Sequence, residues 1–242
     1  MLGALVLLGL NLLALWWAGR GPKALGFDQS VRRLVEFAAG LVVAAAFAAV
    51  QMLLLSRLAG FEWTPNPAYG VPALLEGLRW NVASVLFEEF IFRGALLWLA
   101  IRWLGALRAS LLSAACFGVY HWFSFGLFGD PAGMAFVFVF TGAVGVMLAW
   151  AYAWSGSIVL PIALHLGWNL VINEVFSNGP LGERMLLATG DDIQLLGGLE
   201  QLLVSVAIPL ALPALVLLVL NLPLRRWRSP PDGIAPGKSL VS

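Results

Sequence analysis

The chain has 242 residues, 61% hydrophobic and only 11% charged, with a mean hydropathy of +0.90. So little charge over this length excludes a soluble domain, and the net charge of +1 argues against nucleic acid as a partner. The one cysteine, Cys116, excludes an intrachain disulfide and a zinc–thiolate cluster. What remains is an integral membrane protein of the all-α class, a polytopic transmembrane helix bundle, because helices satisfy their own backbone hydrogen bonds in lipid.

Residues 2–18 form the first apolar run. A signal peptide would need a basic stretch before it and a small-residue cleavage site after it, and neither is present. Residues 19–33 read as a basic loop with Arg20, Lys23, Arg32 and Arg33, and residues 34–56 as the second span. Pro65, Asn66, Pro67 and Gly70 mark a loop over 57–70. Residues 71–102 are helical in pattern, but at about 48 Å the run is longer than a hydrocarbon core of about 30 Å. Its first turns are placed in the interface and the third span over 81–101.

The fourth span is expected over 109–125 and the fifth over 134–153, with Gly142 and Gly145 allowing close helix approach. The sixth covers 158–173. A polar loop with Glu174, Glu183, Asp191 and Asp192 fills 174–198, and the seventh span runs over 199–222. The tail is basic, then rich in Pro and Gly, and reads as disordered. The organisation expected is therefore N-terminal spans and an interfacial segment over 1–79, a helical core over 80–173, a loop and last span over 174–222, and a tail over 223–242. With about seven spans, ten basic residues fall on one side and two on the other. That bias places the N-terminus outside and the tail in the cytoplasm of a multi-pass protein, taken to lie in the plasma membrane. Trp16, Trp17, Trp63, Trp103, Trp154 and Trp227 lie near span ends and read as an interfacial belt. Cys116 reads as a small core residue.

The chemistry gathers at residues 84–94, Ser-Val-Leu-Phe-Glu-Glu-Phe-Ile-Phe-Arg-Gly. Ionisable residues inside an apolar span are costly and mark functional sites. Glu89 and Arg93 are four apart and can pair on one helix face. Glu88 points about 100° away and is left without that arginine. Both histidines of the chain, His121 and His165, also lie in apolar runs. Counted from the cytoplasmic ends of their spans, the glutamates lie about 20 Å deep, His121 about 18 Å, His165 about 11 Å and Asn169 about 17 Å. Three helices thus bring two carboxylates, two imidazoles and an amide to one layer.

A buried carboxylate beside an imidazole can take a proton from water, and an imidazole or amide N–H can stabilise the oxyanion that forms on a carbonyl. The set fits hydrolysis of an amide inside the membrane, with Glu88 or Glu89 as the base, His121 holding the water, and His165 and Asn169 facing the oxyanion. If a metal is used, Glu88, His121 and His165 can hold zinc with one position left for water. The H-E-x-x-H spacing is absent, so spacing does not choose between metal-bound and metal-free water.

Glu88-Glu89-x-x-x-Arg93, Phe117-x-x-x-His121 and His165-x-x-x-Asn169, in this order on three membrane helices, resemble the motifs of the CPBP family, the CAAX proteases and bacteriocin-processing enzymes also called Abi proteins. That family includes the type II CAAX prenyl endopeptidases. The run Gly156-Ser157-Ile158-Val159-Leu160-Pro161-Ile162 is also similar to the family's stretch before its third motif. The likeness spans about residues 80–173. It implies an intramembrane endopeptidase, often labelled a metalloprotease, that acts on a membrane-embedded peptide or lipidated protein. By position it implies Glu88 and His121 on the water, Glu89 with Arg93 as a supporting pair, and His165 with Asn169 on the oxyanion side.

Plainer readings stand beside these. The charged set could be a buried ion pair, and the histidines and Asn169 could be interhelical ties. Phe117 reads as packing. A scaffold or immunity protein of the same fold would carry the same residues. A proton or ion transporter would need polar residues lining a path to the far face, and the spans beyond this layer are nearly all apolar.

Overall fold

The computed structural model describes residues 1–27 and 30–222, so the expectations for the tail and Trp227 lie outside the described residues. The helices in order are α1 (Leu2–Trp17), α2 (Ser30–Ala59), α3 (Val71–Phe92), α4 (Ala95–Leu104), α5 (Ala106–Ser124), α6 (Pro131–Ser155), α7 (Val159–Asn169), α8 (Gly198–Leu202) and α9 (Ile208–Asn221). A π turn, Leu170–Val175, extends α7, and a second, Leu203–Ala207, joins α8 to α9. By length and composition, three stretches can cross a membrane: Pro22–Ala59, Pro131–Ser155 and Gly198–Asn221. Leu2–Trp17 and Val159–Val175 are shorter apolar helices. Leucines and valines stand exposed on outer faces, Leu13, Leu34, Val42, Leu111 and Leu218 among them, as a lipid-facing surface requires. Trp16, Trp17 and Trp103 are exposed, but Trp63 is half-buried, edge-on against Phe61 and Phe176.

The bundle is built around α6. Ala149 and Tyr152 pack with Leu15, Phe90, Trp98 and Ile158, while Met147, Leu148 and Ala151 pack with Ala44, Leu160, Leu164 and Leu212. The buried stripe of α2 runs through Arg33, Glu36, Gly40, Ala44, Ala48, Met52, Ser56 and Ala59 at helical spacing. Its small residues admit α7 at backbone distance. A Cβ on Gly167 would stand 2.3 Å from the Leu41 carbonyl oxygen, a neighbour with no freedom to swing aside. Gly167 lies midway between His165 and Asn169, so this contact sets the height of both. Gly167→Ala is expected to cost about 1–3 kcal/mol of stability by overpacking, read as a lowered thermal midpoint in detergent.

Several expectations are corrected. The third span is not one helix, because α3 ends at Phe92 and α4 starts at Ala95. Gly94 tolerates the break, and its backbone is non-helical at φ −85°, ψ −144°. The chain is not wholly α: the loops over 57–70 and 174–198 pair as an antiparallel ribbon, β1 (Glu62–Pro65) with β2 (Leu186–Thr189), Trp63 opposite Ala188. Arg32 and Arg33 are not in a loop. They lie in the first turn of α2, bind Glu36 at 2.8 and 2.7 Å, and donate to the Ser155 carbonyl at the end of α6. Cations at a helix C-terminus satisfy its last carbonyls and its dipole. Cys116 is exposed rather than in the core. Of the two glycines expected to allow close approach, only Gly145 is tight, with a Cβ there 2.9 Å from Ala114.

The expected polar loop also hides a buried clamp. Glu174 and Arg184 are 3% and 6% exposed and bond at 3.2 Å. Arg184 donates to the Ala73 carbonyl at 2.6 Å, and Tyr69 donates to Glu174 at 2.7 Å. The Tyr69 phenol is pushed up to about 12, first by burial and then by that hydrogen bond. Asn173 donates to Asn81 at 2.8 Å. Together these bonds tie the end of α7 to the first turns of α3, and so fix the two helices that meet at the site.

Candidate active site

Charged side chains survive in an apolar bundle when they are paired and hydrogen-bonded. Glu89 and Arg93 are both fully buried, and Arg93 Nη1 donates to Glu89 Oε1 at 3.2 Å. The other Arg93 terminal nitrogen reaches the Gly145 carbonyl on α6 at 3.4 Å, and the guanidinium lies 4.3 Å from the centre of the Phe117 ring. One arginine therefore holds α3, α5 and α6 together.

His165 is the residue that joins the two glutamates. Its Nδ1 donates to Glu89 Oε1 at 2.8 Å, and its Nε2 stands 3.8 Å from Glu88 Oε2. The bond to Glu89 fixes the tautomer, because a carboxylate only accepts, and Nε2 is left to face Glu88. At 3.8 Å the second approach is too long for a direct hydrogen bond. Glu88 Oε2 is buried and has no hydrogen-bond partner among the described residues, and the same is true of Glu89 Oε2. Both carboxylates thus keep an unused acceptor beside the imidazole.

His121 comes from α5. Its Nδ1 donates to the Phe117 carbonyl one turn earlier at 2.8 Å, which leaves Nε2 as an acceptor. Phe117 is 2% exposed and packs edge-on against His121 at 4.5 Å and His165 at 6.2 Å between ring centres. This phenylalanine, expected only to pack, spaces both imidazoles and covers the arginine. His121, His165 and Asn169 line one cavity of about 280 Å³, walled by α5, α6, α7 and α9. Its other walls are mostly apolar, with Phe140, Met147, Trp168 and Leu212 among them.

The three helices bring these side chains around one site, but with partners other than those expected. Among the described residues no hydrogen bond or ion pair joins His121 to Glu88; the histidine beside Glu88 is His165. The glutamates do not line the cavity themselves and meet it through His165. Among the described residues no three His, Cys, Asp or Glu side chains are grouped to hold a metal ion. As placed, Glu88, His121 and His165 are not grouped as the conditional zinc set requires.

Two contributors escape the motif reading. Asn11 of α1 bonds across the break between α3 and α4. Ser113 of α5 donates to the Phe92 carbonyl at 2.9 Å. Asn11 is marked in the sequence as the lone polar side chain of α1, whereas Ser113 is one of several polar residues in α5.

Residues 70–171 match the family model described as type II CAAX prenyl endopeptidase Rce1-like. The matched segment runs from the loop before α3 into the π turn after α7 and contains all six site residues. The match supports the resemblance of this segment to the CAAX-type intramembrane proteases. Comparison with curated proteins and with solved structures finds no match.

Proposed function

We propose that this protein is an intramembrane endopeptidase that hydrolyses a peptide bond of a membrane-associated or lipidated substrate through water activated by Glu88. The observation that carries the reading is the single imidazole bridging two carboxylates of unequal state. Glu89 is tied by Arg93 and His165, whereas Glu88 makes no side-chain hydrogen bond among the described residues, stands 3.8 Å from His165 and keeps a free oxygen. The tied carboxylate orients the ring, and the free one is available to take a proton.

In this reading a water molecule sits against Glu88 Oε2 and His165 Nε2 and attacks the carbonyl carbon. Its proton passes to Glu88, and from there to the leaving amine. Asn169 faces the cavity with an amide donor for the developing oxyanion, while His121 presents its acceptor Nε2 there. Asn169 has no hydrogen-bond partner among the described residues, so its amide is free for substrate. This assigns the water to His165 rather than to His121. The apolar cavity walls favour a large apolar side chain beside the scissile bond. A core over 80–173 carrying the chemistry, about seven spans, a cytoplasmic C-terminus and a plasma-membrane location belong to the same proposal.

The polar residues beyond the site on α3 and α7 do not favour transport. Asn81, Asn173, Glu174 and Arg184 are buried and bonded to one another rather than left open as a path. The test is a comparison of membrane peptides from cells carrying the wild type and His165→Ala. At least one peptide is expected to accumulate uncut in the variant. Identical profiles would favour the scaffold reading. Leu212→Trp, which fills the cavity from α9, is expected to raise KM for the same substrate by about tenfold, read from initial rates on the purified protein.

A further inference from the structure

The helix break after Arg93 leaves two backbone groups without their helical partners. In an unbroken helix the Phe90 carbonyl would accept from Gly94, and the Ala95 N–H would donate to Ile91. In lipid such groups find no water. Both are met by one side chain from the other end of the chain. Asn11 Nδ2 donates to the Phe90 carbonyl at 3.0 Å and to the Leu7 carbonyl at 2.8 Å, while its Oδ1 accepts from the Ala95 N–H. Asn11 is 6% exposed. A Cβ on residue 94 would overlap both the Asn11 amide and the Phe90 carbonyl, so Gly94 and Asn11 fit as a pair.

The break decides where Arg93 sits. Arg93 caps α3 just after its last residue, Phe92, and has left the helical conformation, at φ −126°, ψ 12°. From there it reaches Glu89, the Gly145 carbonyl and the Phe117 ring together. Closing the break would draw Arg93 back into a helix and move all three contacts. Glu89 in turn holds His165, whose far nitrogen faces Glu88.

We propose that Asn11, which lies outside the segment matched by the family model, is a positioning residue for the active site: its amide holds the break at Gly94 open and so places Arg93, Glu89 and His165. The inference rests on the peptidase reading above for its effect on turnover, and on the geometry alone for its effect on the break. It gives α1 a duty beyond anchoring.

The test uses full-length Asn11→Leu and Asn11→Asp in phosphatidylcholine vesicles. The probe is a fluorogenic peptide made from the bond cut most in the membrane-peptide comparison. A neutral Asp keeps one donor and one acceptor and serves as the conservative rescue. Asn11→Leu is expected to lower kcat at least tenfold with KM within twofold, and Asn11→Asp to keep at least a third of wild-type kcat. Hydrogen–deuterium exchange of the 91–96 backbone is expected to slow at least tenfold in Asn11→Leu alone, because the closed helix bonds the Ala95 N–H to the Ile91 carbonyl. Folded Asn11→Leu with wild-type kcat, or with a change confined to KM, overturns the proposal. So does unchanged exchange at 91–96, a measurement that decides even if Asn11→Leu folds poorly or the wild type shows no turnover. Absence of wild-type turnover would instead overturn the peptidase reading.

Discussion

Glu88→Gln protein is expected to insert, fold and melt like the wild type while its turnover falls by about 10²–10⁴-fold, the span that a general base contributes. The two halves of this result have separate causes. Among the described residues the Glu88 side chain makes no hydrogen bond, and His165 Nε2 stands 3.8 Å away. A neutral amide of the same shape therefore removes little that holds the bundle together. It also removes the carboxylate oxygen that can accept a proton beside the imidazole. Thermal unfolding and cleavage of the fluorogenic peptide, measured on one preparation, read the two effects apart.

Glu89→Gln is expected to give the opposite signature first. Arg93 is fully buried, and its strongest partner is the Glu89 carboxylate at 3.2 Å. Removing one member of a buried pair leaves the other charge uncompensated and costs about 3–5 kcal/mol. The thermal midpoint should fall by roughly 6–20 °C. Turnover falls too, because His165 loses the acceptor that orients its ring. Replacing both members with apolar residues, Glu89→Leu with Arg93→Met, should return most of the lost stability, as apolar replacement of buried pairs does elsewhere. It should not restore cleavage, since neither residue then holds the imidazole. Melting curves of the single and double variants check the first statement, and peptide cleavage by the double variant checks the second.

The candidate site was legible because its residues are expensive where they stand. Glu88, Glu89, Arg93, His121 and His165 are the ionisable side chains that an apolar span would otherwise avoid. Helix rise placed them at one depth, and the four-residue spacing placed Glu89 with Arg93 on one face. Spacing assigns faces within a helix, however, and not neighbours between helices. It could not say that His165 rather than His121 lies against Glu88. That choice depends on how closely α7 approaches α2 and α3, which Gly167 and the Glu174–Arg184 clamp set.

The fold was legible in its helices and less so in its interruptions. Residues 34–56 were legible as a span, but not the buried stripe Gly40, Ala44, Ala48 or the helix that packs on it. The break at Gly94 was hidden by a long apolar run on both sides. A glycine next to the last charged residue of the motif is its one local sign, and Asn11, which satisfies the break, lies 79 residues before Phe90. The ribbon between 62–65 and 186–189 was equally out of reach, since its strands are four residues each and far apart in sequence.

The central claim is that two adjacent glutamates on one helix have separate duties, one in chemistry and one in architecture, divided by a shared histidine. Melting and peptide cleavage of Glu88→Gln and Glu89→Gln, side by side in the same vesicles, test it most directly. The account predicts that Glu88→Gln melts with the wild type and does not cleave, while Glu89→Gln melts well below it. Cleavage by Glu88→Gln at the wild-type rate, or equal melting of the two variants, would contradict it.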